Sequence, residues 1–218
     1  MENTGNVEEK IIETAKRVFM DKGFEKASMS DIAAEVGISR TAMHYYFRTK
    51  DKLFESVFGA LVGSFIPKIQ DVIQSDMPFF DKMDRIIGVY FRIFSENPSL
   101  PKFIVGEVNR DAVHLMTVAH NMGFDGYIGN IIAMIGREME RGTIRRMPIH
   151  VIFLSFISQA VFPFLARNMV CNLLCGQDKE GDFAAIVREC EKSVACQMRA
   201  MLDVNAGAAV WNAQVEAG

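Results

Sequence analysis

The chain has 218 residues, half of them hydrophobic, with 24 basic and 27 acidic side chains and a formal net charge of −3. This length allows one large domain or two small ones. The hydrophobic share is enough for a sizeable core, which excludes a chain that is disordered throughout. The net charge gives no overall basic field, so any attraction to nucleic acid must come from a local patch.

The N-terminus and the longest apolar run indicate the localisation of the protein. The first ten residues, MENTGNVEEK, are polar and acidic where a secretory signal needs a basic start followed by an apolar stretch. The longest apolar run covers residues 151–166 and contains Pro163. It falls short of the roughly 20 residues that a membrane crossing needs. We therefore expect a cytoplasmic protein that is not bound to a membrane.

The cysteines lie late in the chain and lack the paired C-x-x-C spacing of a zinc site. We interpret them as reduced, structural residues, with a thiol sensor or a metal-binding pair as the alternative. No metal and no other cofactor is expected. The four positions are Cys171, Cys175, Cys190 and Cys196.

Apolar residues recur three and four apart along nearly the whole chain, whereas alternating strand patterns are almost absent. This periodicity predicts an all-α fold. The first helix should cover about residues 7–22 and end at Gly23, with Phe24 folding back onto its apolar stripe.

Two short helices should follow, joined by a very short linker. Ser28 offers an N-cap with Asp31 three residues later, which predicts a helix that ends before Gly37. Ser39 should cap a third helix over about residues 40–46. Two short helices joined by a three-residue turn with a glycine form a helix-turn-helix arrangement.

Longer helices should follow, because the apolar periodicity continues between widely spaced breaks. Pro163 should bend the helix that contains it. The predicted helices cover about residues 51–74, 79–95, 99–106, 110–141, 148–174 and 181–202. The breaks are placed at Pro78, at Asn97-Pro98, near Arg110, at Met147-Pro148 and at Gly176-Gln177-Asp178.

The change from short to long helices predicts two domains. We expect a helix-turn-helix DNA-binding domain over residues 1–50 and a larger helical ligand-binding and dimerisation domain over residues 51–203. Residues 204–218 are rich in alanine and glycine, and we predict a flexible tail.

The polar face of the third helix carries the main functional signal. Met43 and Phe47 share one face and should pack inward. The outward set near the helix start is typical of a recognition helix in the major groove of DNA. Arg40 could span O6 and N7 of a guanine, a contact worth about 1–3 kcal/mol of discrimination, and Thr41 could touch a thymine methyl. The outward residues are Arg40, Thr41, His44 and Tyr45.

Other polar residues nearby should hold the DNA backbone. Tyr46 and Lys50 should bind phosphate, and Ser28 with the amides at its helix start should bind the neighbouring strand. Between residues 38 and 52, four basic side chains face one acidic side chain, which gives this segment a charge of +3. A solvated helix face explains each residue singly. The combination with the glycine turn and the serine caps favours DNA contact.

The span from Ile12 to Leu53 resembles the DNA-binding domain of the TetR-type one-component transcriptional regulators. The resemblance implies a three-helix DNA-binding domain, a larger helical domain that binds a small effector and releases the operator, and a homodimer. The residues that carry it are Ala15, Phe19, Gly23, Phe24, Ser28, Ile32, Ala33, Val36-Gly37-Ile38-Ser39, Tyr46, Phe47, Lys50 and Leu53.

The third helix departs from the pattern of many relatives at three positions. Thr41 stands where they have glycine, Ala42 where they have threonine, and His44 where they have tyrosine. The alanine removes a phosphate contact, and His44 could read a purine acceptor instead. The operator sequence therefore does not follow from the resemblance.

Polar groups on apolar helix faces beyond residue 51 suggest an effector pocket. A buried polar atom costs about 1–3 kcal/mol unless it finds a partner, and a ligand could be that partner. Ordinary core packing is the alternative for most of the aromatic residues. Glu107 and Asp111 could meet a cation, but acids are common on helix surfaces. The candidates are Tyr90, Phe94, Phe103, Met116, His120, Phe124, Tyr127, Phe153, Phe156 and Gln159.

The last two predicted helices offer more apolar surface than one shell of helices can cover. The resemblance implies that they form a four-helix dimer interface. A two-fold dimer would place its recognition helices about 34–36 Å apart on a palindrome. The candidate interface residues are Phe156, Leu165, Met169, Val187, Val194 and Met198.

These features predict a ligand-responsive regulator, a repressor that a small, largely apolar effector releases from its operator. An effector that binds better when the two recognition helices are wrongly spaced for DNA must weaken DNA binding. We expect the helix that begins at residue 51 to transmit this change to the DNA-binding domain. An all-helical enzyme is the main rival, but the sequence has no H-E-x-x-H pair, Gly-x-Ser-x-Gly turn or phosphate loop. A protein-interaction module that uses the apolar C-terminal helices is the second rival.

Overall fold

The computed structural model describes residues 4–63 and 66–206. Within these residues the secondary structure is α-helical apart from turns and one isolated bridge between Ile144 and Asp203, which confirms the all-α class. The helices are α1 (Thr4–Lys26), α2 (Met29–Val36), α3 (Arg40–Tyr46), α4 (Lys50–Gly63), α5 (Ile66–Gln74), α6 (Phe79–Glu96), α7 (Leu100–Asn121), α8 (Phe124–Glu140), α9 (Ile149–Leu165), α10 (Arg167–Leu173) and α11 (Lys179–Leu202).

The second and third helices are capped at the predicted residues, whereas α1 is kinked at Gly23 and continues to Lys26 instead of ending there. Gly23 interrupts α1 with φ 76° and ψ 169°. The side chain of Ser28 accepts hydrogen bonds from two amides at the start of α2. Gly37 ends α2 in the left-handed conformation at φ 82°, which would cost an L-residue roughly 1–2 kcal/mol. Ser39 caps α3 by accepting from the amide three residues on, at 3.1 Å.

By packing, the chain divides into two units. The first contains the described residues of Met1–Pro67 and Asn97–Asp125. The second contains those of Lys68–Glu96 and Gly126–Gly218. The predicted boundary after residue 50 stays a prediction.

The core of the first unit is aromatic. Phe54 of α4 lies against Phe19 and Phe24, with ring centroids 5.6 and 5.1 Å apart. It also lies 5.8 Å from Phe103 of α7. Phe24 stacks on Phe19, which confirms the predicted fold-back onto the stripe of α1. Both α4 and α7 therefore share a core with the N-terminal helices.

The core of the second unit forms among α6, α9 and α11. Phe94 of α6 and Phe183 of α11 both pack on Phe164 of α9, with centroids 5.5 and 6.1 Å from it. Ala160 of α9 is completely buried. Burial of these aromatic faces is the main term that holds the three helices together.

In place of the single helix predicted over residues 51–74, the structure describes α4 up to Gly63 and α5 from Ile66, and the two helices are bent by 40° relative to each other. Residues 64–65 lie outside the described part of the chain.

The helices predicted over 99–106 and 110–141 are also wrong in their bounds. The break expected near Arg110 is a kink inside α7, where Asp111 has φ −157° and ψ 83°. The helix ends ten residues after this kink, at Asn121, and Gly123 with a φ of 75° separates α7 from α8.

The helix predicted over 148–174 is divided between α9 and α10, which meet at an angle of 64°. Pro163 lies near the end of α9. Its ring crowds the carbonyl of Gln159 and it offers that carbonyl no N–H, so the helix bends as predicted and then stops at Ala166.

The described residues end shortly after α11. Of the predicted flexible tail, residues 207–218 lie outside the described residues. The guanidinium of Arg145 donates to the carbonyl oxygens of Asp203 and Ala206, so residues up to 206 are anchored.

In the described part of the chain, no single helix combines the length and the apolar composition of a membrane span. Two bent pairs, Lys50–Leu61 with Ile66–Gln74 and Ile149–Leu165 with Arg167–Leu173, meet that test only when the two helices are counted together.

Candidate nucleic-acid interface and effector site

The helix-turn-helix presents one face of α3 to solvent. Met43 of α3 and Ile32 of α2 are completely buried, and Phe47 is nearly so. The predicted inward residues are therefore confirmed. The opposite face is polar and exposed. It consists of Arg40, Thr41, His44 and Tyr45.

Only part of the predicted positive charge beside α3 is available to a ligand. Lys52 donates to the carboxylate of Glu55 at 2.6 Å. Arg40 and Arg48 are exposed, and neither forms an ion pair with any described residue. The free charge of this surface therefore comes mainly from these two arginines.

Lys50 has a structural role that the sequence did not indicate. Its Nζ donates to the carbonyl oxygens of Glu25 and Ala27 at 3.2 and 3.1 Å. It also lies 4.5 Å from the centre of the Phe24 ring. Lys50 thus connects the start of α4 to the end of α1 and to Ala27, which follows it. Its predicted phosphate contact stays a prediction, and it would have to compete with these bonds.

The other predicted backbone contacts are half-buried. The hydroxyl of Ser28 is engaged in capping α2, at 3.2 and 3.4 Å from two amides. The ring of Tyr46 packs edge-on against Tyr45, with centroids 5.4 Å apart. Contact of Ser28 and Tyr46 with phosphate stays a prediction.

A buried carboxylate of α7 holds the last turn of α1, just beyond the kink at Gly23. Glu107 is 3% exposed, and no other charged side chain in the described residues is buried. One of its oxygens accepts from the amide of Phe24 at 3.1 Å, and the other accepts from Nε of Arg110 at 2.8 Å. The Arg110 guanidinium lies 4.5 Å from the centre of the Phe24 ring. Because α2 begins just beyond Phe24, Glu107 helps to fix where α2 and α3 lie.

A second contact joins α7 to α4. The Nε2 atom of His114 lies 3.4 Å from a carboxylate oxygen of Asp51, and its Nδ1 lies 3.2 Å from the Arg110 guanidinium. The His114 ring packs between Phe24 and Phe54, 5.4 Å from each. The sequence indicated Glu107 only as an acid that could meet a cation or lie on a helix surface, because its partner Phe24 lies 83 residues away along the chain.

The second unit brings several effector candidates together. The hydroxyls of Tyr90 and Tyr127 are 2.8 Å apart. The Tyr90 ring lies 5.2 Å from Phe156 and 6.0 Å from Phe94. Burial raises the pKa of both phenols above the ordinary 10.0. Gln159, one turn beyond Phe156, donates its amide to a carbonyl of its own helix at 2.7 Å. These residues form an aromatic cluster with polar hydroxyls inside it.

The remaining effector candidates do not join this cluster. Phe103 belongs to the core of the first unit, through Phe54. Met116 is 59% exposed, and the side chain of His120 is 71% exposed and bound to the Asp125 carboxylate. Phe124 is half-buried, and Phe153 is exposed. The expectation that Met116, His120 and Phe153 line a buried pocket is wrong, because the apolar stretches that contain them also have a solvent face.

Residues 11–57 match the model of a family described as bacterial regulatory proteins, TetR family. The match covers 47 of the 218 residues, and it assigns the helix-turn-helix segment to this family of regulatory proteins.

Curated relatives support this assignment over parts of the chain. The fatty acid metabolism regulator protein of Bacillus subtilis (strain 168) is 21% identical over 135 residues, which cover 62% of this chain and 69% of that protein. The nucleoid occlusion factor SlmA of Mannheimia succiniciproducens is 28% identical over 86 residues, which cover 39% of this chain. The match spans only 40% of the length of SlmA.

Solved structures show that the TetR-family fold extends over most of the chain. The fatty acid degradation regulator FadR from Bacillus halodurans superposes with a TM-score of 0.66 at 17% identity, covering 89% of this chain and 97% of that one. FadR from Bacillus subtilis, in complex with stearoyl-CoA, also superposes with a TM-score of 0.66. The two chains are 16% identical, and the match covers 86% of this chain and 97% of that one. At these identities the likeness concerns the fold alone.

The residues predicted at a subunit interface fall into two groups. Val187, Val194 and Met198 of α11 are at most 4% exposed within the protomer, so their assignment to an interface is wrong. Leu165 and Met169 are exposed, and Phe156 is half-buried against Tyr90. We use the name α9–α10 face for the exposed apolar residues Phe153, Leu154, Phe162, Leu165, Met169, Leu173 and Leu174.

Proposed function

We propose that this regulator is a repressor that binds a palindromic operator as a homodimer and leaves it when a small, largely apolar effector binds. The observation that carries the proposal is the exposed polar face of α3, opposite the buried Met43 and Phe47. Arg40 and Thr41 lie at the start of α3, where recognition helices contact base edges. Arg40 has no acidic partner among the described residues, so its guanidinium is available to a guanine.

DNA binding is tested with duplexes selected from a random library, using fluorescence anisotropy at several salt concentrations. Affinity should fall steeply with salt, because phosphate contacts release counterions. Arg40→Ala should reduce the preference for the selected duplex over a scrambled one by about 5- to 150-fold. Arg92→Ala removes an exposed arginine from α6 and should leave the preference unchanged. A chain that selects no sequence would refute the proposal.

The α9–α10 face supports the homodimer. An exposed apolar patch of this kind marks an interaction surface, and a second copy of the chain offers a matching patch under two-fold symmetry. Leu165→Glu combined with Met169→Glu should convert a dimer into a monomer in sedimentation velocity and weaken operator binding. Val113→Glu is the control, because Val113 is exposed on α7, outside the face. A wild-type monomer at micromolar concentration would contradict the proposed dimer.

The cluster around Tyr90 and Tyr127 supports the effector. Ligand sites are mostly apolar with a few placed polar groups, which describes two phenols beside Phe94 and Phe156. Since Bacillus subtilis FadR is seen with stearoyl-CoA, long-chain acyl-CoA is the first class to test. Acyl-CoA should lower operator affinity, while CoA alone should not, and Phe156→Ala should shift the response to higher concentration. Unchanged DNA affinity at saturating acyl-CoA would reject this class of effector.

A further inference from the structure

His44 is held in one tautomer by the backbone just beyond the end of α3. The ring nitrogen Nδ1 lies 3.3 Å from the backbone carbonyl oxygen of Arg48. A carbonyl oxygen can only accept a hydrogen bond, so Nδ1 must carry the hydrogen. In a neutral imidazole the other nitrogen, Nε2, then carries a lone pair and acts as an acceptor.

The acceptor nitrogen of His44 faces outward from the protein. The side chain is exposed on the polar face of α3. The two ring nitrogens lie on different edges of the imidazole, so the bond to Arg48 turns Nε2 away from the helix end. No described residue is bonded to Nε2. Arg40 lies one turn earlier on the same face of α3, so the two side chains should contact neighbouring base pairs of the DNA.

The major groove contains only two kinds of base donor. Adenine presents its N6 amino group and cytosine its N4 amino group, whereas N7 and O6 of guanine and O4 of thymine are acceptors. A lone pair on Nε2 is attracted to an amino group and repelled by the acceptors. The fixed tautomer therefore discriminates between bases.

We propose that His44 accepts a hydrogen bond through Nε2 from the exocyclic amino group of an adenine or a cytosine in the operator half-site. This inference rests on the proposed role of α3 as the recognition helix and names the base chemistry that His44 selects. It replaces the sequence-based expectation that His44 reads a purine acceptor. The contact with Arg48 is then a positioning bond that sets the tautomer as well as closing the last turn of α3.

The test deletes single base atoms from a duplex that the wild-type chain has selected from a random library. Purine in place of adenine, or 2-pyrimidinone in place of cytosine, removes the amino group. The 7-deaza purines remove the N7 acceptor. At one position of each half-site, loss of the amino group should weaken wild-type binding by about 2- to 10-fold, the effect of one hydrogen bond. The base at that position identifies the source as adenine or cytosine.

Two variants connect the effect to His44. His44→Ala should bind the parent and the amino-deleted duplex equally well at that position, so that a double-mutant cycle assigns the lost contact to His44. His150→Ala, which removes an exposed histidine of α9 outside the helix-turn-helix, should keep the full wild-type sensitivity. Circular dichroism of both variants checks that α3 stays folded, and the wild-type analogue series stands even if a variant does not fold.

Three results would overturn the inference, and they can be told apart. Sensitivity to an N7 deletion that disappears in His44→Ala would show that His44 donates to an acceptor. Equal sensitivity of the wild type and His44→Ala to every analogue would show that His44 reads no base. A wild-type chain that selects no sequence would instead refute the proposed function, and the inference with it.

Discussion

Replacing Glu107 with alanine should lower the free energy of unfolding by about 3–5 kcal/mol. The carboxylate is 3% exposed and accepts from the Phe24 amide at 3.1 Å and from Arg110 at 2.8 Å. Alanine would leave the amide without its acceptor, at about 1–3 kcal/mol, and would remove a charged hydrogen bond worth about 1.5–3 kcal/mol. Arg110, whose side chain is only 21% exposed, would lose its carboxylate partner as well. Glutamine keeps an oxygen for the amide, so Glu107→Gln should lose about half as much.

Urea unfolding followed by circular dichroism measures these differences, and Glu138→Ala is the matched control. Glu138 forms the same kind of pair with the arginine three residues on, also at 2.8 Å, but Arg141 is 67% exposed. An exposed pair of this kind contributes at most about 1 kcal/mol. If Glu107→Ala and Glu138→Ala lowered the stability by the same small amount, the derived role of Glu107 would be refuted.

Three further perturbations test other parts of the fold. Gly37→Ala should lower the free energy of unfolding by roughly 1–2 kcal/mol because of its φ of 82°, whereas Gly129→Ala, inside α8 with open space around it, should be neutral or stabilising in the same thermal denaturation. Lys50→Met should lower it by about 1–2 kcal/mol, because the bonds to two carbonyls are lost. Unchanged stability with a weaker salt dependence of DNA binding would favour the phosphate contact instead. Burial raises the pKa of Tyr90 and Tyr127 above 10.0, so the stability that these phenols contribute is present below pH 10.0 and is lost as the pH rises above it. Urea titrations at about pH 9 and pH 11 should show a smaller loss in a variant with both tyrosines changed to phenylalanine.

The helix-turn-helix was predictable because its signals are local. Ser28 and Ser39 act on amides two or three residues away, and Gly37 satisfies carbonyls three and four residues back. Such contacts join residues that are close together in the sequence. The sequence therefore predicts the bounds of α2 and α3 and the side chains that point inward. The same short range explains why the polar face of α3 was recognisable.

Sequence patterns whose meaning depends on tertiary contacts gave wrong predictions. Gly123 ends a helix with φ 75°, whereas Gly129 lies inside one, and the residue type is identical. The apolar stripe of α11 was correctly identified as buried, but periodicity does not reveal the partner that buries it. In the structure α6 and α9 lie against that stripe within the protomer, so Val187 and Met198 are core residues rather than interface residues.

The sequence by itself determined the helical class, the capping of α2 and α3 and the exposed side chains of α3, because hydrophobic periodicity and capping act within one or two turns. Only the tertiary structure decided that Glu107 binds the amide of Phe24, 83 residues earlier, and that Lys50 binds carbonyls 23 and 25 residues before it. It also decided that Tyr90 and Tyr127 share a hydrogen bond. These contacts join segments that are distant in the chain, and no local preference of either segment specifies the other.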